Sequence, residues 1–325
     1  MALLLTRQDV EALLPMSEAM AAVEEAFRQH ALGNILMPLR TTIRVHGGVN
    51  LGMPAYIGGE MDALGLKVVS VYPDNPSRNL PTVIATVLLN DAHTGALLAV
   101  MDGTWLTAMR TGAAGGVAAR YLARKEASIA TIVGAGIQGR TQLMALCQAR
   151  PIRQAYVYDL DAERSRAYAA EMAPKLGIEV IPTTDLRAAI AASDVLSLAT
   201  SAREPVFPGE WLHPGLHING IGSHSPNARE LDGEAVRRSL LVVDERRACL
   251  AEAGDILIPI QEGLITEEHI HGELGQVIAG QVAGRTSDDQ ITLFKSVGLA
   301  LQDVATAARV YARAVEQGVG KPLPL

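Results

Sequence analysis

The sequence predicts an α/β protein in two parts: a parallel-sheet domain with helices on both faces and a discontinuous α+β domain. Three observations predict it. From Ser128 onward strand-like and helix-like segments alternate, as a parallel sheet with crossover helices requires. From Pro38 to about Val100 short β-rich runs are instead split by turn residues, the texture of antiparallel hairpins. Residues 296–318 ("SVGLALQDVATAARVYARAVEQG") form one long amphipathic helical stretch, which fits best if it returns to pack on the first part.

Taken in order, "MSEAMAAVEEAFRQHALG" (16–33) carries Met20, Val23 and Phe27 at helical spacing, with Leu32 beyond them. Ser17 is the expected N-cap and Gly33 the expected stop. "LRTTIRV", "GLKVVSVY", "TVIATVLLND" and "GALLAVM" read as strands separated by "HGG", "PDNPS" and "AHTG". "WLTAMRTGAAGGVAARYLA" (105–123) reads as a helix of small residues. Beyond it come the strand "IATIVGAG", the helix "IQGRTQLMALCQA", the strand "QAYVYDL" and the helix "DAERSRAYAAEMAPKLG". "EVIPTT", "DLRAAIAAS", "DVLSLAT", "GLHINGIG" and "SLLVVDE" continue the series.

The 325 residues suggest roughly two domains, and 49% hydrophobic content against 19% charged excludes a disordered chain. Aromatics at 4% leave the core to Ala, Val, Leu and Ile. A net charge of −7 gives no reason to expect nucleic acid or an anionic membrane as partner. Cys147 and Cys249 lie far apart and offer neither a bridge framework nor metal-ligand spacing, so buried reduced thiols are expected. The apolar start "MALLL" is too short for a signal peptide, and runs such as "TVIATVLL" are strand-sized, so a cytoplasmic protein is expected.

The chemistry is densest in "TIVGAGIQGRTQL" (131–143). Gly134, Gly136 and Gly139 follow a strand and open a helix, the pattern of a Rossmann-type dinucleotide turn. The first glycine permits the tight turn, the second lets the backbone approach a pyrophosphate, and the third allows close helix–strand packing. Amides at the start of the helix, around Ile137 and Gln138, would stabilise the phosphates. Asp159, 20 residues past Gly139 at the end of the next strand, is placed to accept the ribose hydroxyls. Its charge would repel a 2′-phosphate, so NAD(H) is favoured, while Arg164 and Arg166 nearby leave NADP(H) allowed. The plain alternative is a βα turn with no ligand.

Ligands in open α/β sheets lie beyond the carboxyl ends of the strands. That rule singles out Ala199, Thr200 and Ser201 after one strand, and Ile221, Gly222 and His224 after the next. His224 is either a polar group facing a substrate or a loop residue bonded to backbone. In the first part of the chain Arg40, Lys67 and Arg110 stand out. Leu66, Val68 and Val69 flank Lys67, so the lysine is either snorkelling, salt-bridged, or lowered in pKa by burial. Together two planar guanidinium forks and one ammonium suit a small carboxylate. "EEHIHGE" (267–273) offers His269, His271, Glu268 and Glu273, but reads better as the acidic start of a helix capped by Thr266 than as a metal site, and no metal is expected.

The order "MPLRTTIRV…LGMPAY…ALGLKVVSVYPDNP…LPTVIATVLLNDAHTGALLAVMDG…LTAMRTGAAGGVAARYLA", then "GAGIQGRTQL", then "INGIGSHSPNARELD", resembles the ornithine cyclodeaminase and μ-crystallin family across nearly the whole chain. The resemblance implies a dimerisation and substrate-binding domain at residues 1–118, a Rossmann domain at 119–300, and a C-terminal helix at 301–325 that returns to the first. It implies a homodimer acting with NAD(P) on the Cα–N bond of a small amino or imino acid. Arg40, Lys67 and Arg110 match the carboxylate-binding positions, and Lys67 also the proton donor at nitrogen. Thr111 matches a phosphate contact; Thr82 and Ser296 match positions near the nicotinamide. Two departures are informative. Leu51 stands where cyclodeaminases carry a glutamate for the distal amine, and His224 where they carry an aspartate for the α-amine. A dicationic substrate would lose both countercharges, which disfavours ornithine. The expected activity is reduction of a small imino acid, cyclic or acyclic, with an alanine-type dehydrogenase as the first alternative, an ornithine cyclodeaminase as the second and a non-catalytic binding protein as the third.

Overall fold

The computed structural model describes residues 1–324 and divides the chain into two compact units. Unit 1 comprises Met1–Arg110 and the segment from Leu299, and unit 2 comprises Thr111–Gly298.

Unit 1 begins with β1 (Ala2–Leu5), α1 (Arg7–Leu13), α2 (Met16–Ala31) and β2 (Ile35–Leu36). There follow β3 (Thr41–Val45), β4 (Gly48–Ile57), β5 (Ala63–Val71), β6 (Val83–Asn90) and β7 (Leu97–Asp102). Helix α3 (Gly103–Leu122) carries the chain across the division. Unit 2 then runs β8 (Ile129–Val133), α4 (Ile137–Ala149), β9 (Gln154–Tyr158), α5 (Ala162–Leu176) and β10 (Glu179–Pro182). Next come α6 (Leu186–Ala192), β11 (Val195–Leu198), β12 (His217–Gly220), α7 (Gly233–Arg237) and β13 (Leu240–Val243). It closes with α8 (Arg246–Glu252), α9 (Gly254–Gln261), β14 (Ile270–Glu273), α10 (Leu274–Ile278) and β15 (Thr292–Lys295). The chain ends in unit 1 with α11 (Ala300–Gln317) and β16 (Lys321–Leu323).

The unit 1 sheet has the order β16-β1-β7-β6-β5-β4-β2, with β3 beside β4. It is antiparallel throughout except that β1 lies parallel to β7. Strict alternation puts Leu51, Met53, Ala55 and Ile57 of β4 on one buried face with Lys67 and Val69 of β5. Helix α11 packs on β4 and β5 and against α2, so that face is covered. The opposite face leaves Val68 and Ile84 exposed, and the β3 hairpin adds Ile43 and Val45.

In unit 2 every strand pairing is parallel, in the order β10-β9-β8-β11-β12-β15-β13-β14. Leu143, Leu146, Tyr168 and Met172 from α4 and α5 close over Ile132, Val157 and Val195 of the sheet. Both cysteines lie here with free thiols, Cys147 half-buried and Cys249 buried, and burial pushes the Cys147 thiol up to about 11. No helix among the described residues is long and apolar enough to cross a membrane.

Two local expectations are corrected. Helix α2 is capped at Pro15, whose carbonyl accepts from Glu18 and Ala19 amides, so Ser17 lies inside the first turn. Proline fixes φ before the first turn and so sets the helix start ahead of the hydroxyl. In "EEHIHGE" the acidic turn after Thr266 is a helix of only one 3₁₀ turn, Glu267–His269, and it leads into β14 rather than continuing. Its β-branched and apolar flank at Ile270 pairs with Leu241 of β13, and sheet pairing overrides the acidic pattern.

Candidate functional site

In unit 1 two of the three cations, Lys67 and Arg110, meet on a residue that spacing does not reveal. Lys67 is 1% exposed on β5, and its Nζ lies 2.7 Å from Oδ2 of Asp303, itself fully buried on α11. Arg110 Nε donates to Asp303 Oδ1 at 2.9 Å, and its Nη1 donates to Gln302 Oε1 at 2.7 Å. Burial pulls the Lys67 pKa down to about 7; Asp303 opposes this, while Arg110 and Arg40 add to it by repulsion. Arg40, just ahead of β3, is therefore electrostatically within reach of the same ammonium. The buried Lys67 is a salt-bridged lysine with a lowered pKa, so two of its three alternative readings hold at once. Leu51 lies 7% exposed on the same face of β4, beside Met53, the cross-strand partner of Lys67. Thr82 sits just before β6, where its carbonyl accepts from the Tyr72 amide.

In unit 2 the glycine turn has the geometry that its spacing implies. Gly134 has φ +103°, and a Cβ there would come 2.5 Å from the Ala199 carbonyl. A Cβ on Gly139 would meet the Gly134 carbonyl at 2.1 Å, so only glycine lets α4 approach β8. At Gly136 a Cβ would meet nothing within 4 Å: this face of the turn is open, as close approach of a pyrophosphate needs. Helix α4 starts at Ile137 with no side chain capping its first turn, so the amides at Ile137, Gln138 and Gly139 suit a phosphate. Asp159 Oδ2 accepts from the Ala135 amide at 2.8 Å, which ties the carboxylate to the turn. Arg164 Nη1 is 4.0 Å from its other oxygen. These residues fit a dinucleotide whose ribose hydroxyls meet Asp159. Replacing Asp159 with Ser should raise the NADPH:NADH ratio of kcat/KM about tenfold or more, by removing repulsion of a 2′-phosphate. An unchanged ratio would remove Asp159 from cofactor selection.

The other candidates of unit 2 are brought to the ends of β11, β12 and β15. The Ala199 amide donates to Val133, and Thr200 donates by amide and hydroxyl to Glu230 at 2.8 and 2.7 Å. Ser201 is exposed, and Ile221 is 8% exposed. Gly222 donates to Glu230 as well, at 2.7 Å. Ser296 donates its hydroxyl to Asp244 at 2.7 Å. Thr111 lies buried on α3, its carbonyl accepting from Gln142 Nε2 at 3.0 Å. His224 is exposed, and its Nδ1 is 3.3 Å from the Gly222 carbonyl. His269 and His271 each place Nε2 2.9 Å from a backbone carbonyl, of Val236 and Ala283.

Residues that the sequence reading passed over hold much of this together: Asp303 and Gln302 in unit 1, and Glu230, Asp244, Asp255 and Lys295 in unit 2. Each is 0–1% exposed, and five of the six ionise, which is costly unless they are paired. A faint signal existed for one of them. Asp303 interrupts "ALQDVATAA" next to the core positions Leu301 and Val304.

Comparison with known proteins agrees over the full length. The model of the family described as "Ornithine cyclodeaminase/mu-crystallin family" matches residues 1–318. A Delta(1)-pyrroline-2-carboxylate reductase of Thermococcus litoralis, solved in complex with NADH and L-proline, has a TM-score of 0.96 and 51% identity, covering 99% of this chain and 100% of that one. An archaeal alanine dehydrogenase dimer with bound NAD follows at TM-score 0.94 and 41% identity, covering 100% and 99%. A Delta(1)-pyrroline-2-carboxylate reductase of Bacillus cereus is 38% identical over 322 residues, 98% of each protein. With the glycine turn and the three cations in place, this chain belongs to the ornithine cyclodeaminase/mu-crystallin family.

Proposed function

We propose that the protein is an NAD(H)-dependent reductase of a small imino acid, with a five- or six-membered cyclic ketimine carboxylate as the preferred class and an L-amino acid as product. The observation that carries the reading is Lys67, buried on Asp303 with Arg110 on the same carboxylate and a pKa of about 7. Such a lysine is a proton donor poised for neutral pH. Arg40 and Arg110 hold the substrate carboxylate, which orients the C=N bond. Lys67 gives its proton to the imine nitrogen and so makes the adjacent carbon more electrophilic. NADH, when bound, supplies the hydride to that carbon. The Asp303 carboxylate stabilises the protonated lysine in readiness and fixes the Arg110 guanidinium. Leu51 offers apolar surface to ring methylenes where a diamine would need an acid. The similar reductases and the NADH and NAD complexes support both halves of this reading.

An alanine-type dehydrogenase is the second reading, favoured by the 41% identity to the archaeal enzyme. Comparing NADH oxidation with 1-pyrroline-2-carboxylate against pyruvate plus ammonia separates the two. The cyclic imine is expected to give the higher kcat/KM by about a hundredfold, because the pocket binds a preformed C=N bond. A higher value with pyruvate and ammonia would reverse the order. A non-catalytic binder has no need of three cations at one carboxylate site, which argues against that role.

The uncovered face of the unit 1 sheet, with Val68, Ile84, Ile43 and Val45 exposed, supports a homodimer. Light scattering is expected to give about twice the 34.4 kDa chain mass; a monomer at micromolar concentration would refute it.

A further inference from the structure

The parallel sheet of unit 2 gives the dinucleotide a direction. The pyrophosphate turn follows β8, and Asp159, for one ribose, follows the neighbouring β9. The other half of a dinucleotide then runs the opposite way, over the ends of β11, β12 and β15. Those ends are irregular loops, at 199–201, 221–224 and 296–298.

A closed circuit of buried ions ties them together. Glu230 is fully buried on the segment between β12 and α7. Its Oε1 accepts from the Thr200 amide and hydroxyl at 2.8 and 2.7 Å, and its Oε2 from the Gly222 and Ser223 amides at 2.7 and 3.2 Å. The amides of Glu230 and Leu231 donate to Asp255 Oδ1 at 2.7 and 2.9 Å. Asp255 Oδ2 is 2.7 Å from Lys295 Nζ, and Lys295 closes the circuit on the loop after β12 by donating to the Ser223 carbonyl at 2.7 Å. The loops after β11 and β12 meet so closely that a Cβ on Gly222 would stand 2.3 Å from the Thr200 carbonyl. Burial pushes the Glu230 carboxyl up, but every group at its two oxygens donates and Lys295 lies near, which favours the ionised form. At the end of β13, Asp244 repeats the device, taking the Ser296 hydroxyl and the Val297 and Gly298 amides.

A buried ionic network brings little net stability over well-packed apolar residues, so its use is to specify one arrangement. We propose that Glu230 is a positioning residue for the nicotinamide half of the cofactor, holding the loops after β11 and β12 as one wall against which that half is read. The inference rests on the cofactor reading above and adds to it a division of labour between the turn after β8 and the Glu230 circuit.

Glu230→Gln keeps the shape but turns an NH2 group toward two of the donors. Calorimetric binding of NADH and of ADP-ribose, which lacks the nicotinamide, reads the effect separately on the two halves. For E230Q the Kd of NADH is expected to rise about tenfold, the loss usual for one or two hydrogen bonds to a charged group, while ADP-ribose binds as to the wild type. Thr200→Val, which removes the hydroxyl contact and spares the backbone, should show the same split at about threefold if E230Q does not fold. Equal weakening of both ligands, or a lowered Tm with both affinities unchanged, would reduce Glu230 to a general structural role and overturn the inference. Wild-type protein that binds neither ligand would overturn the cofactor reading itself.

Discussion

Lys67→Ala is expected to lower kcat for the cyclic imine by about a thousandfold, in the middle of the range for loss of a general acid, while NADH still binds. The pH dependence gives the sharper form of this prediction. Reduction needs Lys67 protonated, so kcat/KM should be flat in acid and fall as pH rises through about 7, the value that burial and the two arginines impose. Oxidation of the product amino acid needs the neutral amine, and its kcat/KM should rise to a plateau through the same pH. Lys67→Arg keeps a charge but does not titrate in this range, so its residual rate should lose the inflection. An inflection that persists in K67R belongs to the substrate, and the proton would then come from elsewhere.

The second large effect is expected at Asp303. Its carboxylate faces Lys67 at 2.7 Å and Arg110 at 2.9 Å with all three side chains buried. Asp303→Asn leaves two cations confronting each other with no countercharge. Removing one partner of a buried pair costs about 3 kcal/mol, and thermal unfolding should show it. Lys67 can relieve part of the cost by giving up its proton; Arg110 cannot. Turnover should fall about a hundredfold or more through both the lost donor and the misdirected guanidinium. A variant with normal melting and normal kcat/KM would mean that the triad is incidental.

Local chemistry was legible where it rests on neighbours in sequence. Helix α4 runs Ile137–Ala149, the bounds of the quoted segment, because glycine spacing and apolar pattern agree there. Lys67 stood out because a lysine among Leu66, Val68 and Val69 of a strand has nowhere to put its charge. Its partner was not legible, since Asp303 is brought to it by the packing of α11 on β5, 236 residues later. The Glu230 circuit was hidden for the same reason: Asp255 and Lys295 belong to different elements and meet only when parallel strands align. Strand order is likewise a property of the whole sheet, so the parallel pairing of β1 with β7 had no local sign. The misplaced cap at Ser17 shows the reverse weakness, a local preference displaced by the proline before it.

The measurement that bears most directly on the central claim follows the hydride. 1-Pyrroline-2-carboxylate is incubated with the protein and NADH carrying deuterium in the transferable C4 position, and the product is analysed by mass spectrometry. The account predicts L-proline with one deuterium at Cα, formed by the wild type and nearly absent with K67A. Consumption of neither reagent, or proline without deuterium at Cα, would contradict it.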